Sequence, residues 1–305
     1  MPSVEQPANR PVSFQRHLRR MRQLAVIPWP CLWSVGSFLC RNRWGRRCIT
    51  WRWRDLRPLL RVSQQLFAAM GLPPDRVDLE STRVYENGLF QTLLLAQLAR
   101  LSPEQEQQQF EVSGLEHLAV EQSAGRPVIL GGSHFGVNRL FPLWLARRGV
   151  EVLSLEHQDQ LAMMGVTKPA TLKSVEIGTG FKAQATMLAL RHLQSGGCLH
   201  LTGDRLKEKA DQRSVQRTFH GITRQYPQGM ANLALLGGAA ILPYFCTLQP
   251  GGRVRIDIHP PLRPPIPPAP AGSAERESQI EDLIRRFAAV LEAQIEQTPG
   301  NQRWR

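Results

Sequence analysis

From residue 127 onward, short apolar runs alternate with segments of helical periodicity, and this alternation restricts the fold more than any other feature of the chain. The runs have the length of buried strands. Buried strands that alternate with helices are typical of a mainly parallel sheet covered on both faces. The predicted strands are 127–131, 150–155, 173–177, 198–202, 240–248 and 253–258. The predicted helices are 137–148, 158–165, 181–194, 228–237 and 274–296. The sequence therefore predicts an α/β fold with helices flanking the sheet.

The rest of the chain adds helices and turns around this sheet. Residues 57–70 and 85–101 have helical spacing of apolar side chains, and the Gly-Leu-Pro-Pro stretch at 71–74 separates them. The last two strands are joined through Gln-Pro-Gly-Gly, which predicts an antiparallel hairpin. We therefore expect one α/β domain over residues 63–305, preceded by a membrane-associating segment over residues 1–62.

That N-terminal segment is rich in arginine and tryptophan. Residues 10–61 contain thirteen arginines, no lysine and one acid, Asp55, and they contain five of the seven tryptophans. Guanidinium groups bind phosphate and indoles lie at the headgroup level of a bilayer. The apolar run 24–40 is shorter than a typical span and is interrupted by Pro28 and Pro30. We predict an interfacial or re-entrant anchor. A tilted single span and a basic helix that packs on its own domain are the alternatives. The position of the run argues against a cleaved signal peptide.

The overall charge and the cysteine content restrict the partners. The formal net charge is +13 and the pI is about 10.5, which indicates an anionic partner such as nucleic acid, anionic lipid or an acidic carrier protein. The five cysteines are an odd number without a CxxC pair, so we expect neither a disulfide framework nor a zinc site. A reducing compartment fits this cysteine usage. The sequence predicts no metal and no cofactor.

A histidine in a glycine-rich turn follows the first predicted strand. The turn is Gly-Gly-Ser-His-Phe-Gly over residues 131–136, and it places His134 at the end of a strand, where catalytic groups collect in α/β proteins. Imidazole titrates near neutrality and suits a general base. Phe135 stands where the nucleophile elbow of a serine hydrolase needs a glycine, and the glycines do not form G-x-G-x-x-G. Serine hydrolase and dinucleotide-binding folds are therefore disfavoured.

Two further blocks follow along the chain. Thr-Gly-Asp-Arg at 202–205 ends a predicted strand, and its Asp204–Arg205 pair suits the binding of an anionic group or a surface salt bridge. Nearby basic residues predict either a phosphate-binding rim or a solvated loop; they are Lys207, Lys209, Arg213, Arg217 and Arg224. Phe-His-Gly at 219–221 precedes a helix of small residues that leads into the strand containing Pro243.

Together these blocks resemble the bacterial lipid A biosynthesis acyltransferases, the late lauroyl and myristoyl enzymes, which are relatives of the glycerophosphate acyltransferases. The family pattern is a histidine, four residues and an acid. A strand ending in Asp-Gln or Asp-Arg, a Phe-x-Gly turn, and a helix with an Ala-rich run to a proline follow. The matching positions are 133–136, 203–205, 219–221 and 229–243, and Pro299 to Trp304 resembles the closing Pro-Glu-Gln-x-x-Trp. The likeness covers roughly residues 85–305.

The resemblance implies a glycerophosphate-acyltransferase-like domain on the cytoplasmic face of a bacterial inner membrane. Such an enzyme would move a fatty acyl chain from acyl carrier protein or acyl-CoA to a hydroxyl of a glycolipid in an anionic membrane. It implies that His134 is the general base and that Asp204, Arg205 and Gly221 belong to the substrate- or phosphate-binding site. No nucleic-acid partner is expected, because the basic segment lacks a recognised reading module.

The chain departs from the family pattern at one position. Arg139 occupies the place of the acid, and Asn138 precedes it. Guanidinium has no acceptor for an imidazole N–H, whereas the Asn138 side chain has an oxygen that accepts weakly. Asp204 and Glu156 are alternative acids from other strands. The sequence leaves open an active acyltransferase with a relocated acid and a catalytically impaired relative that binds lipid or acyl carrier without turnover.

Overall fold

The computed structural model describes residues 20–52, 56–156, 159–164, 166–177, 182–205 and 213–303. Its centre is a seven-stranded sheet with the order β1-β9-β8-β2-β5-β3-β4. The strands of this sheet are β1 (Phe110–Ser113), β2 (Val128–Gly132), β3 (Val152–Glu156), β4 (Leu172–Glu176), β5 (Cys198–Thr202), β8 (Ala240–Leu248) and β9 (Val254–Ile258). Neighbouring strands are parallel except β8 and β9, which are antiparallel. Two further strands, β6 (Ser214–Phe219) and β7 (Ile222–Pro227), form a separate antiparallel hairpin.

Helices cover both faces of the sheet. Those before β2 are α1 (Trp29–Arg41), α2 (Arg43–Arg52), α3 (Leu56–Ala69), α4 (Pro74–Leu98), α5 (Pro103–Gln109) and α6 (Leu115–Ser123). Those after β2 are α7 (Leu140–Arg147), α8 (Gln160–Met163), α9 (Lys182–Gln194), α10 (Gly229–Gly237) and α11 (Ala274–Gln297). Short 3-10 turns lie at Pro250–Gly252 and Pro299–Asn301.

The two faces of the sheet form two apolar cores. Val128 and Leu130 of β2 pack with side chains of α1, α4 and α7, whereas Ile129 packs with side chains of α9, α10 and α11. Every residue of β2 and of β8 is buried. Successive side chains of a strand point to opposite faces, so a strand in the middle of three layers must be apolar throughout. This requirement explains the continuous apolar runs in the sequence.

The predicted fold class is confirmed, and the predicted strands of the main sheet lie within about two residues of their observed bounds. The antiparallel pair β8–β9 is also as predicted. Four elements were missed: β1, α6, and the two hairpin strands β6 and β7. The four residues of β1 are half exposed, and the hairpin alternates exposed with inward-facing residues, so neither produces a continuous apolar run.

Helix α7 begins at Leu140, three residues later than predicted. Gly136 has a left-handed φ of 55°, and the N–H of Val137 still donates to the carbonyl of Cys246 in β8, at 2.9 Å. The backbone at Gly136 and Val137 therefore stays attached to β8, and the helix starts only beyond this attachment.

Part of the N-terminal basic segment packs on the domain. Trp29 and Trp33 of α1 are buried against Phe90 of α4, and Nε1 of Trp29 donates to the carbonyl of Gly252 at 2.8 Å. None of the helices in the described ranges is both long enough and apolar enough to span a bilayer. The division between residues 1–62 and 63–305 stays a prediction.

Candidate active site

The histidine turn is shaped by a close approach of backbone to backbone. Gly136 has its left-handed φ where a Cβ atom would lie 1.9 Å from the carbonyl oxygen of Cys246. Only glycine fits there, both for its conformation and for the space. The N–H of Gly136 donates to the carbonyl of Asn301 at 2.7 Å. The turn is thus fixed between β8 and the C-terminal segment, and it presents His134 above the end of β2.

Asp204 is brought to the same place by the register of the sheet. β2 and β5 are adjacent and parallel, and Gly132 pairs with Thr202 at their carboxyl ends. His134 follows Gly132 by two residues, and Asp204 follows Thr202 by two residues. The N–H of Gly203 also donates to the carbonyl of Gly132, at 3.0 Å. Equivalent positions after neighbouring parallel strands lie side by side, so the topology alone pairs the two residues.

Asp204 contacts His134 with both carboxylate oxygens. Oδ1 lies 2.8 Å from Nδ1 of the imidazole, and Oδ2 accepts the backbone N–H of His134 at 2.9 Å. The Asp204 side chain is fully buried, whereas the His134 side chain is 32% exposed. Burial would raise the pKa of the Asp204 carboxyl, but the charge of His134 and these hydrogen bonds hold the pKa below its ordinary value. Asp204 is therefore ionised at neutral pH.

An ionised Asp204 determines which ring nitrogen of His134 carries the proton. A carboxylate only accepts hydrogen bonds, so Nδ1 must be protonated and must donate to Oδ1. The neutral imidazole then has its lone pair on Nε2, and the side chain that carries it is partly exposed. Such a ring can remove a proton from a hydroxyl, and the buried carboxylate stabilises the imidazolium that results. The pair has the arrangement of a catalytic base with its orienting acid.

Arg139 and Asn138 do not take over the contact of the family's acid. Among the described residues, the ring of His134 forms its hydrogen bond with Asp204 and forms none with Arg139. Oδ1 of Asn138 instead accepts from Gln91 at 3.3 Å. Because residues 137–139 form a turn before α7, the fifth position after the histidine is directed elsewhere.

Arg139 lies at a small cavity of about 20 Å³ between the sheet, α4 and α7. The lining residues include Glu156, His200 and apolar side chains of those elements. Burial lowers the pKa of Arg139, and the negative charge of Glu156 opposes this decrease. Burial raises the pKa of Glu156, and the charge of Arg139 opposes that increase. Each charge therefore offsets part of the cost of burying the other. In the part of the chain that the structure describes, Oε1 of Glu156 accepts from Ser154, while the ring of His134 contacts Asp204.

A chain of buried polar groups supports the strands beneath the turn. Ser154 Oγ lies 2.8 Å from Oε1 of Glu156 and 2.7 Å from Nδ1 of His200. Nε2 of His200 lies 3.0 Å from the hydroxyl of Tyr244, which donates to the carbonyl of Asn138 at 2.9 Å. Burial, followed by the charge of Arg139, lowers the pKa of His200 to about 3, so this histidine is neutral. His200 and Tyr244 are not evident as site residues from the sequence, because both lie in apolar strands and neither forms part of a motif.

Of the other predicted site residues, Arg205 and Arg224 lie near this pair, whereas Gly221 lies at a hairpin turn. Arg205 is exposed directly after Asp204. Arg224 of β7 is half-buried, and burial lowers its pKa while the charge of Asp204 opposes this. Gly221 lies at the exposed turn of the β6–β7 hairpin with a φ of 75°, so the turn itself explains this glycine. Lys207 and Lys209 lie outside the described residues. Within the described ranges, no cluster of three His, Cys, Asp or Glu side chains could hold a metal ion.

Comparison with known protein families identifies the family of this chain. The family described as bacterial lipid A biosynthesis acyltransferase matches residues 81–304, which is well over half of the chain. The match begins in α4 and covers the whole sheet, the histidine turn and the C-terminal segment. A search of curated proteins gave no match to the chain.

Proposed function

Since the chain belongs to the bacterial lipid A biosynthesis acyltransferase family, we propose that it moves a fatty acyl chain from an acyl thioester to a hydroxyl of a lipid A-type glycolipid. The observation that carries this proposal is the contact between Nδ1 of His134 and Oδ1 of Asp204. It supplies the orienting acid that the sequence lacks at position 139. This contact favours an active enzyme over a catalytically impaired relative.

The proposed reaction needs one base and no resident cofactor. Nε2 of His134 removes the proton of the acceptor hydroxyl while the hydroxyl oxygen attacks the thioester carbonyl carbon. The carbon–sulfur bond then breaks, the thiolate leaves, and the imidazolium returns its proton to the sulfur. The products are the new ester and the free thiol. Asp204 holds Nδ1–H throughout and stabilises the imidazolium while it exists.

Cationic side chains beside the pair suit the anionic groups of both substrates. Arg205 is exposed next to the buried carboxylate of Asp204. Arg224 is close enough that the charges of Asp204 and Arg205 both affect its pKa. Acyl carrier protein and acyl-CoA both bear phosphate on the pantetheine arm, and lipid A-type acceptors are phosphorylated. Guanidinium groups bind such phosphates in a forked geometry. We assign Arg205 to phosphate binding on this chemistry.

The exposed side of α1 and α2 supports docking on an anionic membrane. Trp44 and Trp51 are each 74% exposed, and other exposed apolar side chains on these elements are Val35, Phe38 and Leu39. Exposed arginines lie among them, at positions 41, 43 and 47. Apolar side chains enter the interface while arginines pair with headgroup phosphates. In a bacterium, this corresponds to the cytoplasmic face of the inner membrane, where acyl thioesters are available.

The test is an acyl-transfer assay with two donors and a panel of acceptors. Labelled acyl carrier protein thioester and acyl-CoA are each offered with a lipid A precursor, a lysophospholipid and a glycerol phosphate, in vesicles with and without anionic lipid. We expect label on the lipid A precursor, and a faster rate on anionic vesicles. No label on any acceptor from either donor, with acyl-chain binding retained, would identify the chain as a non-catalytic relative.

A further inference from the structure

The last described residues of the chain lie against the histidine turn. The N–H of Arg303 donates to the carbonyl of His134 at 2.8 Å, and the N–H of Gly136 donates to the carbonyl of Asn301 at 2.7 Å. Between these two bonds, Phe135 and Gln302 form an antiparallel bridge. We call residues 299–303 the C-terminal clip. Through these bonds the clip runs beside the turn like a short added strand.

The clip is anchored on its other side to helix α4. Oε2 of Glu80 accepts the N–H of Gly300 at 2.8 Å, and Nδ2 of Asn87 donates to Oδ1 of Asn301 at 2.9 Å. Glu80 is fully buried, and burial raises the pKa of its carboxyl while the bond from Gly300 opposes the increase. Oε1 of Glu80 pairs with Arg83 and Oε2 accepts from Gly300, so both oxygens of this buried carboxylate have a partner and the Gly300 bond satisfies one of them.

The backbone approach at Gly300 is also tight. A Cβ atom at this position would lie 2.1 Å from the carbonyl oxygen of Glu80. Any larger residue must therefore push the clip away from α4. Since Asn301 and Arg303 hold the histidine turn, a displaced clip displaces the backbone of His134.

We infer that the C-terminal clip is a positioning element for His134: it fixes the turn so that the imidazole reaches the Asp204 carboxylate in one orientation. The backbone N–H of His134 is held by Asp204 and its carbonyl by Arg303, so distant parts of the chain fix both peptide units that flank its Cα atom. The role in turnover rests on the proposed acyl transfer. The effect of the clip on the geometry of His134 is independent of that proposed function.

The test compares Gly300→Ala with Gly229→Ala. Gly229 is an exposed glycine at the start of α10 with nothing within 4 Å of an added Cβ atom, so its variant is the matched control. We expect kcat for acyl transfer to fall about tenfold or more in Gly300→Ala, with KM within about twofold of wild type, because misplacement by about 1 Å is enough for such losses. Wild-type kcat in Gly300→Ala would overturn the proposal.

A second readout separates this inference from the proposed function. Nitrogen-15 NMR of labelled histidines reports which ring nitrogen carries the proton. We expect Nδ1–H for His134 in wild type and Gly229→Ala, and a mixture of tautomers in Gly300→Ala. If wild type transfers no acyl group, the proposed function fails, yet the NMR comparison still decides the positioning role. A single Nδ1–H form in Gly300→Ala contradicts it.

Substitutions at Glu80 give an independent check in case Gly300→Ala folds poorly. Glu80→Gln retains an oxygen that can accept from Gly300, whereas Glu80→Ala removes it. We expect the glutamine variant to keep the wild-type tautomer and most of the kcat, and the alanine variant to lose both. Equal behaviour of the two variants would contradict the role of this anchor.

Discussion

Nδ1 of His134 lies 2.8 Å from Oδ1 of Asp204, although the two residues are 70 positions apart in the chain. In the family pattern the acid stands five residues after the histidine, where this chain has Arg139. Here a carboxylate at the end of the neighbouring strand makes the contact, because β2 and β5 are parallel and in register. The arginine at position 139 therefore does not deprive the histidine of an orienting partner.

Asp204→Asn should reduce acyl transfer by about 10²-fold or more with little change in KM. The asparagine side chain has the same shape, but its amide can donate to Nδ1, which would place the ring proton on Nε2 and remove the base. The measurement is kcat with the donor and acceptor found active for wild type. Asp282→Asn, at an exposed acid paired with Arg286, is the control and should retain the wild-type rate. A wild-type kcat for Asp204→Asn would mean that the contact has no catalytic role.

Arg139→Glu restores the family's acid in the sequence but should not increase activity. Arg139 lies at the cavity with Glu156, so the new carboxylate would face another buried carboxylate and lose the compensating charge. We expect a large loss of stability, about 3 kcal/mol or more, measured by urea unfolding. Arg139→Met, which removes the charge without adding a second acid, should be less damaging. A rise in kcat for Arg139→Glu would show that the acid was simply missing.

His200 should make the fold sensitive to mild acid. Burial lowers its pKa from 6.5 in the unfolded chain to about 3 in the fold. Below pH 6.5 the imidazole of His200 binds a proton in the unfolded chain but not in the folded chain. The free energy of unfolding therefore decreases as the pH falls towards about 3. His200→Gln lacks this group. At pH 7.5 the free energy of unfolding of His200→Gln should be lower than that of wild type, and this difference should be smaller by about 2 kcal/mol at pH 5. Urea unfolding at both pH values measures the difference, and a deficit independent of pH would show that His200 is accessible to protons.

Much of the fold could be predicted from the sequence, for a physical reason that also explains the failures. Strands buried on both faces must be apolar throughout, so β2, β5 and β8 are evident from the sequence. The β6–β7 hairpin has one polar face and was interpreted only as a rim or loop. Its Arg217 forms a bidentate pair with Glu292 of α11, at 3.0 and 2.6 Å, which no local pattern reveals.

The sequence predicts His134 and Asp204 as site residues but does not decide which acid contacts His134. His134 and Asp204 each follow an apolar strand by two residues, and that shared spacing was the available signal. It becomes decisive only once β5 is known to lie beside β2, because strand order is a tertiary property. The roles of Arg139 and Asn138 also depended on where α7 begins. The backbone bonds of Gly136 and Val137 delay that start, and these bonds involve residues far along the chain.

The rate of acyl transfer by His134→Ala tests whether His134 is the general base. We expect a decrease of about 10² to 10⁴-fold, the usual contribution of a general base, with the variant still folded and still binding vesicles. His117→Ala, at a half-buried histidine on α6, should match wild type in the same assay. Equal turnover by His134→Ala and wild type would show that His134 is not the general base.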